Sequence, residues 1–429
     1  MRKEEPVPRF QSAAVEEALS DTPVVVVHGA RQVGKSTLVA ELGARCREPV
    51  LTVTFDDPET LEFARLDPTG FVEQAGSGTL IIDEVQRVPE IMLPLKANVD
   101  RDRRPGRFLL TGSADVFRVR GIGDSLAGRV ESVRLMPFSQ GERARREVPE
   151  DFVAALFRRP AVADLSRVLG EGGTAIGGPL SPDVALAGGF PEATVRTPRR
   201  RNAWFRTYIR RLADHDAYEY RGGGFPDEME RLTRLLAAGG ATEIVQSRLA
   251  AHLGTSDSTM ATYLRTLRTM NLLVEVPSWT RPVRGRTVRR PKAALTDTGL
   301  SASLGRLTQE NLQKPGMREF YGAVVEQLVM LELLKQQGWS AEEFEIYHYR
   351  DNDDLEVDLV IDLLDGRLVA IEVKSGQTVK TDAFKKLERF RDKVSDHEVI
   401  GVVLHGGRGV QLLHGWIYVL PVQALWTLD

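Results

Sequence analysis

The pattern Gly29-Ala30-Arg31-Gln32-Val33-Gly34-Lys35-Ser36 could hold a phosphate. Its G-x-x-x-x-G-K-S spacing is that of a phosphate-binding loop. Glycines let the backbone curl until successive N–H groups point inward at an anion. A helix opening at Lys35-Ser36-Thr37 adds the partial positive charge of its N-terminus. Lys35 then reaches the β- and γ-phosphates of a nucleotide, and the Ser36 hydroxyl can ligate Mg²⁺. Asp83-Glu84 closes the apolar run Thr79-Leu80-Ile81-Ile82, the Walker B pattern. Asp83 would hold Mg²⁺, usually through water, and Glu84 would polarise the attacking water. Thr111 and Ser113 end another apolar run; their hydroxyls either sense the γ-phosphate and orient water or only shape a turn.

Such groups need a scaffold that brings strand ends together. Val24 to Val27 reads as a buried strand before the loop, and the apolar run Thr37-Leu38-Val39 continues a helix after it. Phe10 to Leu19 reads as a helix, and Val50 to Phe55, Thr79 to Glu84, Arg107 to Ser113 and Val130 to Leu135 as strands. Asp56-Asp57 lies at a strand's carboxyl end, where open α/β sheets bind ligands; it can equally cap the helix that follows.

The segments His28 to Thr37, Ile81 to Gln86, Leu109 to Ser113 and Leu126-Ala127-Gly128-Arg129 together resemble a prokaryotic AAA+ ATPase family. Its members pair an ATPase module with a C-terminal domain of unassigned function. The resemblance extends over essentially the whole chain and includes Gly188-Gly189-Phe190-Pro191-Glu192, for which the residues suggest only a glycine-rich turn before a helix. It implies ATP with Mg²⁺ as cofactors; no guanine-specifying motif is evident. It also puts Arg129 where AAA+ proteins place an arginine finger, which stabilises charge on a neighbouring subunit's γ-phosphate and so requires a homo-oligomer. A surface arginine is the plain alternative.

Beyond Ser139 the sequence turns helical and basic. Arg196 to Arg211 interleaves arginines with Trp204, Phe205 and Tyr208, which suits either a lid helix with a solvated arginine face or nucleic-acid contact. Arg221 to Pro226 reads as a linker. These features divide the chain into an AAA+ domain with helical lid over 1–222, a winged-helix module over 227–305 and a last α/β domain over 306–429.

In the middle module, helices over Glu228 to Ala238, Ser247 to Leu253 and Ser256 to Met270 precede strands at Leu272 to Val276 and Lys292 to Leu295. This order resembles a winged helix. The hairpin tip, Arg281 to Arg290, carries only positive charge and could neutralise DNA phosphates. Ser256, Ser258, Thr259, Thr262 and Arg265 could hydrogen-bond DNA, although such modules also serve protein packing.

The last domain offers Glu326 on the helix Phe320 to Lys335, Asp358 on a strand, and Glu372-Val373-Lys374 on the next strand of a hairpin. The set resembles the PD-(D/E)XK nuclease-like fold, a restriction-endonuclease-like arrangement. That resemblance implies Mg²⁺ held by Asp358 and Glu372, Lys374 acting on water or the phosphorane, and Glu326 completing the metal shell. Alternatively the fold persists only to bind DNA, or the charges are satisfied ion pairs.

A length of 429 residues suggests about three domains. One cysteine, Cys46, excludes internal disulfides and cysteine-based zinc sites. The charged, proline-containing start and the lack of an apolar run of about 18 residues argue against a secretory signal and a membrane span, so a cytoplasmic location is expected. The net charge of −3 identifies no partner. The leading expectation is a DNA-acting ATPase; an ATP-gated switch with little turnover and an ATP-regulated nuclease are the rivals. Lys35→Ala is expected to abolish nucleotide binding, and Glu84→Gln to keep binding while stopping hydrolysis. Calorimetric titration beside a phosphate-release assay checks both, and unchanged turnover in Glu84→Gln removes that residue from the role.

Overall fold

The computed structural model describes residues 6–46, 49–74, 76–113, 128–165, 179–216, 226–281 and 289–428. Three expected features therefore lie wholly or largely outside the described residues: Asp124 to Ala127 ahead of Arg129, Arg221 to Phe225 of the linker, and Pro282 to Val288 at the hairpin tip. The chain forms two units, residues 1–138 with 265–272, and residues 139–264 with 273–429.

The first unit alternates helix and strand: α1 (Ser12–Asp21), β1 (Val24–His28), α2 (Lys35–Arg45), β2 (Val50–Thr54), α3 (Pro58–Leu66), α4 (Pro68–Glu73), β3 (Thr79–Asp83), α5 (Met92–Arg101), β4 (Phe108–Gly112) and β5 (Val130–Arg134). The strands form one parallel sheet in the order β2-β3-β4-β1-β5. Val24 to Val27 are all buried, as a central parallel strand requires. Their β-branched side chains suit the extended backbone. Phe55, Phe71, Leu95, Phe108 and Leu110 fill the core, and truncating such an aromatic costs about 3–5 kcal/mol. The Asp56-Asp57 alternatives resolve locally. Asp57 accepts from the Thr60 N–H at 3.0 Å and caps α3, while Asp56 pairs with Arg87 at 2.8 Å.

The second unit begins with short helices: α6 (Gln140–Arg143), α7 (Phe152–Phe157), α8 (Pro182–Ala187), α9 (Pro191–Thr194), the longer α10 (Pro198–Arg211) and α11 (Pro226–Gly239). In α10, Phe205, Tyr208 and Ile209 are buried and Trp204 stacks on Tyr208, ring centroids 5.1 Å apart. Next along the chain come β6 (Thr242–Glu243), α12 (Gln246–Leu253), α13 (Asp257–Thr269), β7 (Leu273–Val276) and β8 (Lys292–Leu295). Gly254, at φ +66°, ends α12, and the Ser256 hydroxyl accepts from Thr259 N–H to start α13. The three strands form an antiparallel sheet, β6-β8-β7.

Then α14 (Thr298–Leu304) and the long α15 (Met317–Gln336) lead into β9 (Phe344–Arg350), β10 (Glu356–Leu363), β11 (Leu368–Lys374), α16 (Thr381–Lys393), β12 (Val399–His405), β13 (Gln411–Leu413) and β14 (Ile417–Pro421). These strands form a six-stranded mixed sheet, β13-β14-β12-β11-β10-β9. Strands β10 and β11 pair antiparallel, and β11, β12 and β14 run parallel. Both α15 and α16 pack on β11. Among the described residues no helix is long and apolar enough to cross a membrane.

The Gly188-Gly189-Phe190-Pro191-Glu192 segment has a structural role here. Gly188 adopts φ +67°, and a Cβ there would collide with the buried Asp297 carboxylate. That carboxylate accepts from the N–H groups of Gly189, at 2.6 Å, and of Leu300, at 2.8 Å, joining this turn to the start of α14. Pro191 opens α9, and Phe190 packs against Trp204, Phe205 and Tyr208.

Glu150 is a poorly satisfied buried acid of this unit. It is fully buried, and among the described residues neither carboxylate oxygen has a hydrogen-bond partner. Burial, reinforced by the Glu332 carboxylate, pushes it up to about 8 from 4.5. In that window the unfolded chain has released this proton and the folded chain keeps it, so stability falls as pH rises. Glu150→Gln is therefore expected to gain stability over the wild type at about pH 8 relative to about pH 5, read from urea unfolding at both. An equal difference at the two pH values refutes it.

Candidate functional site

The order β2-β3-β4-β1-β5 brings the carboxyl ends of β1, β3 and β4 side by side, where open α/β sheets bind ligands. Gly34, at φ +100°, is the N-cap of α2 and has no side chain to offer the helix's first N–H groups. The N–H groups of Lys35, Ser36 and Thr37 have no acceptor within the helix, so this end presents donors to an anion. Gly29 presses on the exit of β5, where a Cβ would collide with the Leu135 carbonyl oxygen. Ala30 and Val33 are buried, Gln32 adopts φ +64°, and Arg31 is half-buried, so the loop is wedged by its apolar positions. Lys35 is only 4% exposed, and its ammonium lies 3.1 Å from the Gly29 carbonyl oxygen and 3.2 Å from that of Ala30.

Asp83 joins the strand ends. Its carboxylate accepts from the Ser36 hydroxyl at 3.0 and 2.9 Å and from the Thr111 hydroxyl. Thr111 Oγ1 in turn accepts from the Glu84 N–H at 3.1 Å. Glu84 adopts φ +58°, uncommon for a residue with a Cβ, which turns its side chain out of the strand path. The Gln86 amide donates to the Glu84 carboxylate and, at 3.0 Å, to the Ser113 hydroxyl. Ser36, Asp83, Thr111, Glu84, Gln86 and Ser113 thus form one connected polar chain. Ser36 and Asp83 supply hard oxygen atoms beside the loop, a donor set suited to Mg²⁺. Arg129 is placed differently: its Nε lies 2.6 Å from Asp100 on α5, whose carboxyl it holds below the usual range.

Two residues of this site carried no functional signal in the sequence. Gln86 stands two positions after Glu84 with no spacing rule to mark it. Arg9 lies far upstream in sequence, yet its guanidinium donates to the Val33 carbonyl at 2.7 Å and the Met136 carbonyl at 2.5 Å and covers the Phe138 ring.

In the second unit, Glu326, Asp358, Glu372 and Lys374 lie in one charged cluster, joined by Lys292, Glu356 and Lys386, which sequence reading passed over. Asp358 accepts from the Val373 N–H at 2.8 Å and lies 4.0 Å from Lys374. Lys374 pairs with Glu372 at 2.9 Å, and Lys386 on α16 approaches the same carboxylate at 3.4 Å. Lys292 pairs with Glu326 at 2.9 Å and Glu356 at 3.2 Å, and lies 4.0 Å from Asp358. Burial and the facing Asp358 raise both Glu326 and Glu372. Burial disfavours the Lys292 ammonium, but Glu326 and Asp358 outweigh it and keep the lysine charged. Burial first and the facing Asp358 second lift Glu326, while its 2.9 Å contact with Lys292 pulls the other way. A charge among Ala293, Ala294 and Leu295 was the sequence cue for Lys292.

Comparison with known proteins supports an AAA-type ATPase domain in this chain. Residues 21–144 match the family model of an AAA domain. Residues 180–311 and 321–425 match two domains of unknown function, DUF8612 and DUF4143. An uncharacterised protein of Mycobacterium tuberculosis is 29% identical over 376 residues, covering 86% of this chain and 74% of its own; a Mycobacterium bovis protein gives the same figures. Among solved structures, the Walker-type ATPase PABY2304 of Pyrococcus abyssi is 16% identical, covering 71% of this chain and 97% of its own, with a TM-score of 0.43. A signal-transduction ATPase of Pyrococcus horikoshii is 14% identical, covering 78% and 46%, with a TM-score of 0.24.

Arg9 fastens the phosphate loop through its charged hydrogen bonds, each worth about 1.5–3 kcal/mol. Arg9→Ala is expected to weaken ATP binding roughly 10- to 100-fold, measured by titration with a fluorescent ATP analogue. Unchanged affinity rules out this positioning role. Sequence pattern, sheet order and family match converge: residues 21–144 form an AAA-type ATPase domain of the P-loop class.

Proposed function

We propose that the protein is a Mg²⁺-dependent ATPase whose cycle acts on DNA held by its C-terminal half. The observation that carries the ATPase reading is the connected chain from Ser36 through Asp83 and Thr111 to Glu84 at the mouth of a P-loop. In this reading the loop N–H groups of residues 29–37 grip the triphosphate, and the Lys35 ammonium moves from the Gly29 and Ala30 carbonyls to the β- and γ-phosphates. Ser36 and Asp83 would hold Mg²⁺, which neutralises charge on the phosphate oxygens when bound. Glu84 takes a proton from the attacking water, and Ser113 and Gln86 set the direction of the Glu84 carboxylate. Arg129 leaves Asp100 to reach the γ-phosphate of a neighbouring copy, which makes the working form an oligomer.

The DNA reading is supported by the order of α12, α13, β7 and β8, a helix-turn-helix followed by a hairpin, as in winged-helix modules. Ser256 and Ser258 at the start of α13 are exposed, as are Arg281, Arg289 and Arg290 flanking the hairpin tip. Arginines there would contact phosphate and give salt-dependent affinity. One observation favours a second reading, a nucleotide-gated switch with little turnover: Gln86 already engages the carboxylate that must activate water.

Turnover measured with and without duplex DNA separates the two. The ATPase reading expects Mg²⁺-dependent hydrolysis that DNA stimulates several-fold and that Glu84→Gln lowers by roughly 10²-fold or more. Tight ATP binding with negligible turnover under both conditions leaves the switch, and hydrolysis indifferent to DNA removes DNA as the effector.

A further inference from the structure

The C-terminal cluster has the residue types of a nuclease-like centre but already contains its cations. Four carboxylates, Glu326, Glu356, Asp358 and Glu372, face three ammonium groups, Lys292, Lys374 and Lys386. Lys292 decides the matter. It enters from β8, the second strand of the hairpin, and its side chain is 4% exposed. Its Nζ sits 2.9 Å from Glu326, 3.2 Å from Glu356, 3.4 Å from the Asp358 carbonyl oxygen and 4.0 Å from the Asp358 carboxylate. A divalent ion needs the same oxygens at about 2.1 Å, with room for water. It would have to sit against a buried positive charge that already neutralises them. On the other side, Glu372 is taken by Lys374 and Lys386, and Asp358 Oδ2 by the Val373 N–H. Among the described residues no three His, Cys, Asp or Glu side chains converge to hold a metal. The residues therefore do not fit the Mg²⁺ that their pattern implies.

We propose that Lys292 is a resident cation standing where a nuclease would bind its metal. The cluster then acts as a charge lock that fastens β8 to α15 and β10. On the DNA reading proposed above, the C-terminal half then holds DNA without cutting it. This rests on reading Glu326, Asp358, Glu372 and Lys374 as a nuclease-like constellation.

The test is Mn²⁺ binding followed by electron paramagnetic resonance on the full-length, nucleotide-free chain. Every sample carries Asp83→Asn, so that the P-loop adds no metal ligand. The protein with Lys292 intact is expected to show no Mn²⁺ site that Asp358→Asn abolishes. Lys292→Ala is expected to gain one site, at least tenfold tighter than any background, which adding Asp358→Asn removes. An Asp358-dependent site in the protein retaining Lys292 overturns the proposal and leaves the nuclease-like reading standing. A folded Lys292→Ala protein, judged by its circular dichroism melt, that gains no site overturns both. If Lys292→Ala does not fold, the comparison with and without Asp358→Asn in the Lys292-containing protein decides alone: a dependent site refutes the lock, and its absence supports it.

Discussion

The nucleotide site depends on one carboxylate accepting two hydroxyl groups. Asp83 ends β3, Ser36 lies in the first turn of α2, and Thr111 is next to last in β4, so two hydroxyl donors tie three elements into one corner. An ionised acceptor makes each of these bonds stronger than a neutral pair would. Thr111 passes the constraint to the Glu84 backbone, whose left-handed conformation aims the side chain. Arg9 ties the opposite side of the loop, at the Val33 carbonyl, to the Met136 carbonyl beyond β5. The loop's own packing is confined to Ala30 and Val33. Its geometry is imposed from these neighbours.

The two charged sites show how counter-charge separates similar chemistry. At Asp83 the partners are neutral hydroxyls, and the negative charge stays available to a cation. Around Asp358 the partners include buried ammonium groups, and the charge is largely spent inside the protein. Removing one ion of a buried pair strands the other, so such a group is hard to open for ligand exchange. Both sites set a strand aspartate against groups from other elements, and the charge of those partners distinguishes them.

That difference marks what the sequence could and could not convey. The run Val24 to Val27, the loop after it and the Asp-Glu at the end of Thr79–Asp83 were legible because each is local: burial, turn chemistry and strand end lie within a few residues. Asp57 was legible as a cap for the same reason. Arg9, Lys292 and the Asp297–Gly189 bond were not, because each joins positions far apart in the chain, and no period or motif encodes such a meeting. The strand order was likewise invisible, since apolar strands of similar length offer no mark of their neighbours. Gln86 was missed for another reason: an amide gains a role only from what it touches.

The position of β1 carries a consequence for how the chain acquires its shape. Val24 is bonded into the sheet between Phe108 and Val130, not beside its sequence neighbours. During synthesis the first strand must wait, apolar and unpaired, until both distant partners emerge. Long-range parallel pairing of this kind is slow and exposes aggregation-prone surface meanwhile. A chain interrupted before β4 would keep every residue of its glycine loop and still lack the walls that shape it.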